Sequence, residues 1–239
     1  MSGKTPHYAA LLLPVHLAAA ACSGGGSADT ASRDQTGSTA ATIRQEAASP
    51  EARDEKLVLA FGDSLYAGYA LRQDESFPHD LEQALAAQGI VASVHNAGVS
   101  GDTTASGLQR LAFTLDGLPR KPDLAIVGLG ANDMLRGLDP QVARDNLSAI
   151  LSELRRRGIP IMLTGMVAAP NMGRDYGARF NAIYPDLAKE YGAELYPFFL
   201  ADVIGSPALM LPDRIHPNAA GVDAIVTRVA PMVAKQLRT

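Results

Sequence analysis

From residue 55 to the end of the chain, short apolar runs alternate with segments in which apolar residues recur at helical spacing. The first run, over residues 57–61, has no polar interruption, which is typical of a strand buried on both faces of a parallel sheet. Similar runs predict four more strands, over residues 90–94, 124–129, 159–166 and 194–196. Helical spacing predicts helices over residues 77–88, within 102–118, over 140–157, near 179–191 and over 219–237.

The order of these elements decides the fold class. Strands and helices alternate throughout, which is the βαβ pattern of a parallel sheet with helices on both faces. We therefore predict an α/β protein with a three-layer, flavodoxin-like, doubly wound sheet of five parallel strands. The pattern indicates one domain, over residues 55–239.

The residues before this domain have a different character. Lys4 precedes an apolar run over residues 9–21, which has the length of a secretory signal and is short for a membrane anchor. Cys22 follows between small residues and opens a polar tract rich in Gly, Ser, Ala and Thr. This arrangement resembles a bacterial lipoprotein signal, in which the cysteine is lipidated and becomes the mature N-terminus. We predict a signal over residues 1–22 and a flexible linker over 23–54, with ordinary cleavage or an uncleaved leader as alternatives.

The charge argues against one class of partner, and the cysteine content excludes two kinds of structural cross-link. Residues 1–50 carry equal numbers of acids and bases, so the net charge of −4 belongs to the remainder, where no basic run occurs. A mildly acidic domain argues against nucleic acid as a partner. Cys22 is the only cysteine, which excludes a disulfide within the chain and a cysteine metal cluster. The leader predicts an exported protein, periplasmic or anchored to the outer membrane, that contacts the membrane only through its lipidated N-terminus.

The sequence predicts neither a cofactor nor a metal site. Residues 128–130 read Gly-Leu-Gly, but the third glycine of the dinucleotide fingerprint does not follow them. The chain has no phosphate-binding Gly-x-x-x-x-Gly-Lys loop, and its His, Asp and Glu residues do not occur at metal-ligand spacing.

Four polar segments, the first three of which contain glycine, carry the candidate chemistry. Three of them follow predicted strands, at residues 62–64, 96–103 and 128–133, and the fourth, at residues 213–217, precedes the last helix. The carboxyl ends of parallel strands meet at one edge of a sheet, so these segments are expected to converge. Together they supply a serine, a histidine, an aspartate, a glycine N–H and an asparagine amide, which are the groups that acyl transfer requires.

These segments, in this order and spacing, resemble the SGNH or GDSL hydrolases, and most closely the branch of bacterial thioesterase I, lysophospholipase L1 and arylesterase. The motifs that carry the resemblance are GDSLYAGYAL, NAGVSGDTTASGLQRL, GANDMLRGLDP and DRIHPN. The resemblance implies that Ser64 is the nucleophile, His216 the general base and Asp213 the residue that orients this histidine. It also implies an oxyanion hole formed by the N–H groups of Ser64 and Gly101 and by the side-chain amide of Asn132.

The chemistry of these residues agrees with the implied roles. A serine hydroxyl becomes a nucleophile at neutral pH when a base takes its proton, and histidine titrates in the required range. The Gly-x-Ser-x-Gly elbow of α/β-hydrolases is absent around Ser64, which favours the SGNH assignment. Each residue also has a structural alternative: Ser64 as a helix cap, His216 as a capping or surface histidine, Asp213 as a solvated loop acid, Asn132 as a turn residue and Gly101 as a tight bend.

Four further polar residues are assigned other roles. Asp63 is interpreted as shaping the loop around Ser64. Ser100 is a rival nucleophile, but it has no acid–base partner nearby in the sequence. His79 and His95 are more typical of helix-surface and strand-end positions than of catalytic ones.

The substrate pocket is expected beside the same edge of the sheet. Loops over residues 134–138 and 166–177 should frame it. The side chains predicted to contact or frame the substrate are Asp63, Leu135, Leu138 and Pro170, with Val167 and Met172 in the same loops. These mostly apolar or compact residues suit an acyl group better than a sugar, and ordinary loop packing is the alternative.

The predicted function is that of a serine esterase. It would hydrolyse short- to medium-chain acyl esters, which include aryl esters, thioesters and lysophospholipids, through an acyl-enzyme on Ser64. Two alternatives stay open: a carbohydrate acyl-esterase or acyltransferase of the same fold, and a non-catalytic lipid-binding lipoprotein. The expected partner is a small-molecule acyl ester or lipid, and we expect no obligate protein partner.

Overall fold

The computed structural model describes residues 55–238. The predicted signal over residues 1–22, lipidation of Cys22 and the linker over 23–54 lie outside the described residues. Among the helices that are described, none has the length and apolar character needed to cross a membrane.

The described residues form one parallel sheet of five strands, in the order β2-β1-β3-β4-β5. The strands are β1 Lys56–Gly62, β2 Ala92–Gly98, β3 Leu124–Gly128, β4 Ile161–Thr164 and β5 Glu194–Tyr196. Residues 58–61 of β1 have no exposed surface, as expected of an unbroken apolar run in the middle of a sheet. This strand order is that of a flavodoxin-like, doubly wound sheet, so the predicted fold class is confirmed.

Seven α-helices accompany the strands in the described part of the chain. They are α1 Ser64–Ala67, α2 Phe77–Ala87, α3 Thr104–Asp116, α4 Ala131–Leu135, α5 Pro140–Arg156, α6 Arg174–Tyr191 and α7 Ala219–Leu237. Right-handed crossovers place α2 on one face of the sheet and α3, α5 and α6 on the other, because the strand order reverses after β2. The packing agrees with this, since α7 contacts α2 while α5 contacts both α3 and α6.

Strand β2 begins and ends later than its side chains predict. The expected strand over residues 90–94 is in fact Ala92–Gly98. Ile90 lies just beyond the end of α2, and its N–H donates to the carbonyl of Leu85 within that helix. The strand continues through polar residues because backbone pairing with β1 extends to Gly98, opposite Gly62. Hydrogen bonding thus prolongs this edge strand beyond the point where the apolar pattern stops.

Other boundaries differ for local reasons. The strand predicted over residues 159–166 is shorter, because the N–H of Ile159 closes α5 by donating to the Leu154 carbonyl. Helix α6 begins at Arg174, ahead of the predicted start near residue 179, since Gly173 with φ 85° turns the chain directly into it. The short helices α1 and α4 are too brief to show helical spacing in the sequence.

The ends of β1 and β3 are packed around one buried aromatic ring. Tyr66 is 1% exposed, its hydroxyl lies 2.8 Å from Thr164 Oγ1, and its ring centroid lies 5.4 Å from that of Phe199. A Cβ atom added at Gly62 or Gly128 would overlap the Tyr66 ring. Glycine at both strand ends therefore lets α1 settle directly over the sheet, at the point where the strand order reverses.

Candidate active site

Ser64 begins α1 directly above the carboxyl end of β1. The N-cap of this helix is Asp63, whose carboxylate accepts a hydrogen bond of 3.0 Å from the backbone N–H of Leu65. The alternative in which Ser64 itself caps the helix is therefore wrong. Because Asp63 performs that task, the Ser64 hydroxyl is free to face the crevice.

The serine, the histidine and the aspartate lie in a hydrogen-bonded series. His216 Nε2 lies 2.9 Å from Ser64 Oγ, and His216 Nδ1 lies 2.6 Å from Asp213 Oδ2. The second oxygen of Asp213 accepts backbone hydrogen bonds of 2.9 Å from Ile215 and 3.0 Å from His216. The aspartate thus fixes both the turn and the imidazole that the turn carries.

These contacts also set the charge of the aspartate. Partial desolvation raises the pKa of Asp213, but the hydrogen bond to the His216 side chain and the two backbone hydrogen bonds outweigh it and lower the pKa to about 2. Asp213 is therefore ionised at neutral pH and favours the tautomer of His216 that carries its proton on Nδ1. In this tautomer Nε2 is left as an acceptor toward Ser64.

Gly101 lies in the loop that follows β2, and Asn132 lies shortly after the end of β3. Gly101 has φ 86°, a left-handed conformation that favours glycine. Asn132 is the second residue of α4, and its Nδ2 donates a hydrogen bond of 3.0 Å to the carbonyl of Asp102. This contact ties the Asn132 amide to the loop that carries Gly101, while Asn132 itself lines the same crevice as Ser64.

Three carboxylates are buried beneath the serine. Asp133 is 0% exposed, and it accepts hydrogen bonds from Thr104 N at 2.8 Å and from Thr104 Oγ1 at 2.6 Å. Asp102 forms an ion pair of 2.6 Å with Arg110. Asp63 is the third, and it is 1% exposed. Each thereby ties a polar strand-end loop to the body of the domain.

Asp63 has the most perturbed environment of the three. Desolvation is the largest cause that raises the pKa of its carboxyl, the hydrogen bond from Leu65 opposes it, and the charges of Asp102 and Asp133 add to it, so that the pKa is about 7. The Asn132 amide lies 3.5 Å from its outer oxygen. Asp63 is also predicted to contact the substrate, but the structure places it outside the cavity that opens at Ser64. Its position agrees with the loop-shaping role.

A cavity of about 580 Å³ opens at Ser64 and His216, and we call it the acyl cavity. Of the predicted contact residues, Leu135 and Pro170 line it, as does Val167. Leu138 and Met172 do not line it: Leu138 is 38% exposed beyond the turn that ends α4, and Met172 packs against the core.

The acyl cavity has walls that sequence reasoning missed. They come from Phe198, Leu200, Ile204 and Ile215, in the irregular segment between β5 and α7. Residues of this segment have no periodic pattern, so only the tertiary packing assigns them to a cavity. Ile204 and Ile215 are exposed apolar side chains, which the sequence by itself does not reveal.

The other candidates of the sequence lie elsewhere. Ser100 is exposed on the turn after β2 and does not line the acyl cavity, and neither do His79 in α2 and His95 in β2. Within residues 55–238, no group of three or more His, Cys, Asp or Glu side chains is arranged to hold a metal ion.

A serine, a histidine and an aspartate in hydrogen-bonded series, at the reversal point of a doubly wound sheet, define the arrangement of a serine acyl hydrolase. The model of the GDSL-like Lipase/Acylhydrolase family matches residues 60–224, and the chain belongs to this family. The predicted family and the prediction of a hydrolase are thereby confirmed.

Named relatives agree with this assignment. The chain is 40% identical over 190 residues to an arylesterase of Vibrio mimicus, which covers 80% of this chain and 93% of the relative. It is 38% identical over 181 residues to thioesterase 1/protease 1/lysophospholipase L1 of Escherichia coli K12, covering 76% and 83%. Among solved structures, AlinE4, an SGNH-hydrolase family esterase, is 56% identical with a TM-score of 0.66, covering 76% of this chain and 96% of that one.

Proposed function

We propose that this protein is a serine esterase that hydrolyses short- to medium-chain acyl esters through an acyl-enzyme on Ser64. The observation that carries the proposal is the contact of 2.9 Å between His216 Nε2 and Ser64 Oγ at the mouth of an apolar cavity. Family membership supports the acyl-hydrolase class. The relatives named arylesterase and thioesterase/lysophospholipase support aryl esters, thioesters and lysophospholipids as the substrates to test.

In the acylation step, Ser64 Oγ forms a bond to the carbonyl carbon of the ester while His216 Nε2 takes the hydroxyl proton. The carbonyl oxygen becomes an oxyanion, which the N–H groups of Ser64 and Gly101 and the Asn132 amide stabilise. Ionised Asp213 stabilises the imidazolium that forms.

The tetrahedral adduct then loses the alcohol. The bond between the carbonyl carbon and the alkoxy oxygen breaks, and His216 donates its proton to the departing oxygen. In the second half of the cycle, a water molecule gives a proton to His216 and its oxygen attacks the acyl carbon. Breakage of the Ser64 ester bond, with return of the proton to Oγ, releases the carboxylic acid and restores the enzyme.

The acyl cavity favours fatty acyl groups over sugars. Met166, Phe198 and Leu200 line it, and its charged and polar lining is confined to Ser64, Asn132, His216 and Arg214 in the described part of the chain. A sugar seated there would leave most of its hydroxyl groups without partners, whereas an apolar acyl chain needs none. A non-catalytic lipid-binding role leaves the Ser64–His216 contact without a purpose.

The test is hydrolysis of p-nitrophenyl esters from acetyl to palmitoyl by the full chain, by Ser64→Ala and by Ser100→Ala. We expect turnover by wild type and Ser100→Ala, background rates for Ser64→Ala, and a rate maximum at short or medium acyl length. Equal rates in wild type and Ser64→Ala would overturn the proposal. If wild type cleaved sugar acetates in preference to every p-nitrophenyl ester, the carbohydrate alternative would replace it.

We also propose that residues 1–22 direct export and that Cys22 is lipidated, because the apolar run and the following small residues have the pattern of a lipoprotein signal. The test compares wild type with Cys22→Ser after growth with radiolabelled palmitate. Label and membrane association in wild type, and their loss in Cys22→Ser, are the expected results. Export without label in wild type would leave signal cleavage and overturn lipidation.

A further inference from the structure

Arg214 occupies a backbone position that suits a different residue. The turn that holds the candidate base requires both Ile215 and His216 to donate to Asp213, and it places Arg214 at φ 59°. Side chains rarely adopt this left-handed conformation, whereas glycine and asparagine do so readily. The backbone conformation does not favour an arginine at this position, which directs attention to its side chain.

Arg214 lines two cavities. It lines the acyl cavity, and it also lines a second cavity of about 680 Å³ whose walls come from residues 204–212. Among the residues that the structure describes, it is the one Lys, Arg, Asp or Glu that lines either cavity. Within residues 55–238 its guanidinium has no hydrogen-bond or ion-pair partner.

The reaction places the leaving group beside His216, on the turn whose Arg214 lines the second cavity. His216 donates a proton to the departing alkoxy oxygen, so the alcohol half of the ester must lie next to the imidazole. Arg214 precedes this imidazole by two residues on the same turn, and it faces a cavity that contains Ser206 and no acidic side chain. A positive charge without a partner at that place suits an anionic ligand.

We propose that Arg214 binds an anionic group on the alcohol half of the ester, so that the preferred substrates are amphiphilic esters whose head group carries a carboxylate or a phosphate. The inference rests on the proposed esterase function and defines its substrate class. The acyl chain lies in the acyl cavity, the head group enters the second cavity, and the guanidinium donates two hydrogen bonds to the anion.

The experiment uses two pairs of esters that differ only in charge. The first pair is 4-nitrophenyl butyrate and 3-carboxy-4-nitrophenyl butyrate, and the second is 1-decanoyl glycerol and its 3-phosphate. The full-length wild type is compared with Arg214→Gly and Arg214→Asn, which suit the left-handed backbone, and with Arg214→Lys, which keeps the charge. Arg144→Gln, which removes a half-buried arginine of α5 that is paired with Glu190 of α6, controls for net charge.

The measured quantity is the ratio of the KM for the anionic ester to the KM for the neutral ester. We expect this ratio to rise about fivefold to tenfold in Arg214→Gly and Arg214→Asn. It should stay within about twofold of wild type in Arg144→Gln. In Arg214→Lys it should rise less than in Arg214→Gly, because lysine keeps the charge but lacks the two-donor fork. The preference of wild type for the anion should weaken as ionic strength rises. A rise confined to one pair identifies the anion as carboxylate or phosphate.

An unchanged ratio in Arg214→Gly, for both pairs, would overturn this inference while leaving the esterase proposal intact, because the neutral esters would still be turned over. If wild type hydrolysed none of the four esters, the esterase proposal would fail and the inference with it.

Discussion

The aromatic ring of Tyr69 lies against the imidazole of His216, with 4.3 Å between the ring centroids and 30° between the planes. Tyr69 follows Gly68, which ends α1 in a left-handed conformation, and its N–H donates to the Ser64 carbonyl. Tyr69, just beyond the helix that Ser64 begins, therefore covers the imidazole of the candidate base, His216. An aromatic face shields the ring from water and stabilises the imidazolium that forms during catalysis.

Tyr69 is accordingly expected to act as a positioning residue for His216. Tyr69→Leu should lower kcat about threefold to tenfold, with little change in KM, because the effect acts on the base and not on substrate binding. Tyr69→Phe keeps the ring and should retain most of the wild-type kcat. Steady-state kinetics on p-nitrophenyl butyrate measure kcat and KM for both variants. A change in KM with constant kcat would assign Tyr69 to the substrate site instead.

Asn132 should stabilise the transition state and add little to substrate binding. Removing its amide in Asn132→Ala is expected to lower kcat by about 100- to 1000-fold, the usual cost of one oxyanion donor, with KM changed by less than about threefold. Asn132→Asp keeps the shape without the N–H donors and should fall at least as far. The same kinetic assay checks both, and an Asn132→Ala variant with kcat near that of wild type would remove this residue from the oxyanion hole.

Asp63 makes stability depend on pH in a defined direction. Its pKa is about 7 when folded and 3.8 ordinarily, so between these values the folded protein holds a proton that the unfolded chain has lost. The contribution of Asp63 therefore falls as pH rises, by up to about 1.4 kcal/mol per pH unit in that window. In Asp63→Asn the new side chain would not titrate, while its amide oxygen would still cap α1.

The measurement is urea-induced unfolding of wild type and Asp63→Asn at about pH 5 and about pH 8. The free energy of unfolding of Asp63→Asn, relative to wild type, should be about 2 kcal/mol more favourable to the folded state at the higher pH. Other titrating groups cancel in this comparison because both proteins contain them. If the free energies of unfolding of the two proteins differed equally at both pH values, Asp63 would already be ionised in the folded protein at the lower pH.

Gly128 should be intolerant of even one added methyl group. Its Cβ would overlap the buried Tyr66 ring, so Gly128→Ala is expected to destabilise the domain by about 1–3 kcal/mol. Gly177→Ala is the matched control, because Gly177 lies in α6 and its Cβ would have no neighbour closer than 4.0 Å. That change should be neutral or should stabilise by up to about 1 kcal/mol. Thermal unfolding compares them, and equal losses would reject the packing argument.

The sequence predicts the sheet well, because residues 57–61 and 124–129 are apolar runs too long and too regular to belong to loops. It places β2 less well, since the pairing of Gly98 with Gly62 depends on backbone hydrogen bonds that side chains do not reveal. The convergence of Ser64 with His216, which are 152 residues apart, could be expected only from the topology and the family motifs.

Three features of the site could not be predicted from spacing. The burial of Asp63 depends on how α1 packs over the sheet, and the exclusion of Leu138 from the acyl cavity depends on the turn that ends α4. The cavity walls at Phe198 and Ile204 come from an irregular segment whose path is set by tertiary contacts. Periodic patterns indicate helices and strands, and they carry little information about such segments.

The most direct test of the account is covalent labelling of the nucleophile. A p-nitrophenyl alkylphosphonate reacts with an activated serine by forming the Oγ–P bond and expelling p-nitrophenolate. After treatment of the full chain, mass spectrometry of its peptides should show one adduct, on Ser64, in step with the loss of esterase activity. Labelling should be reduced to background in His216→Ala. Loss of activity with the adduct on Ser100, or ester hydrolysis that survives complete modification of Ser64, would contradict the central claim.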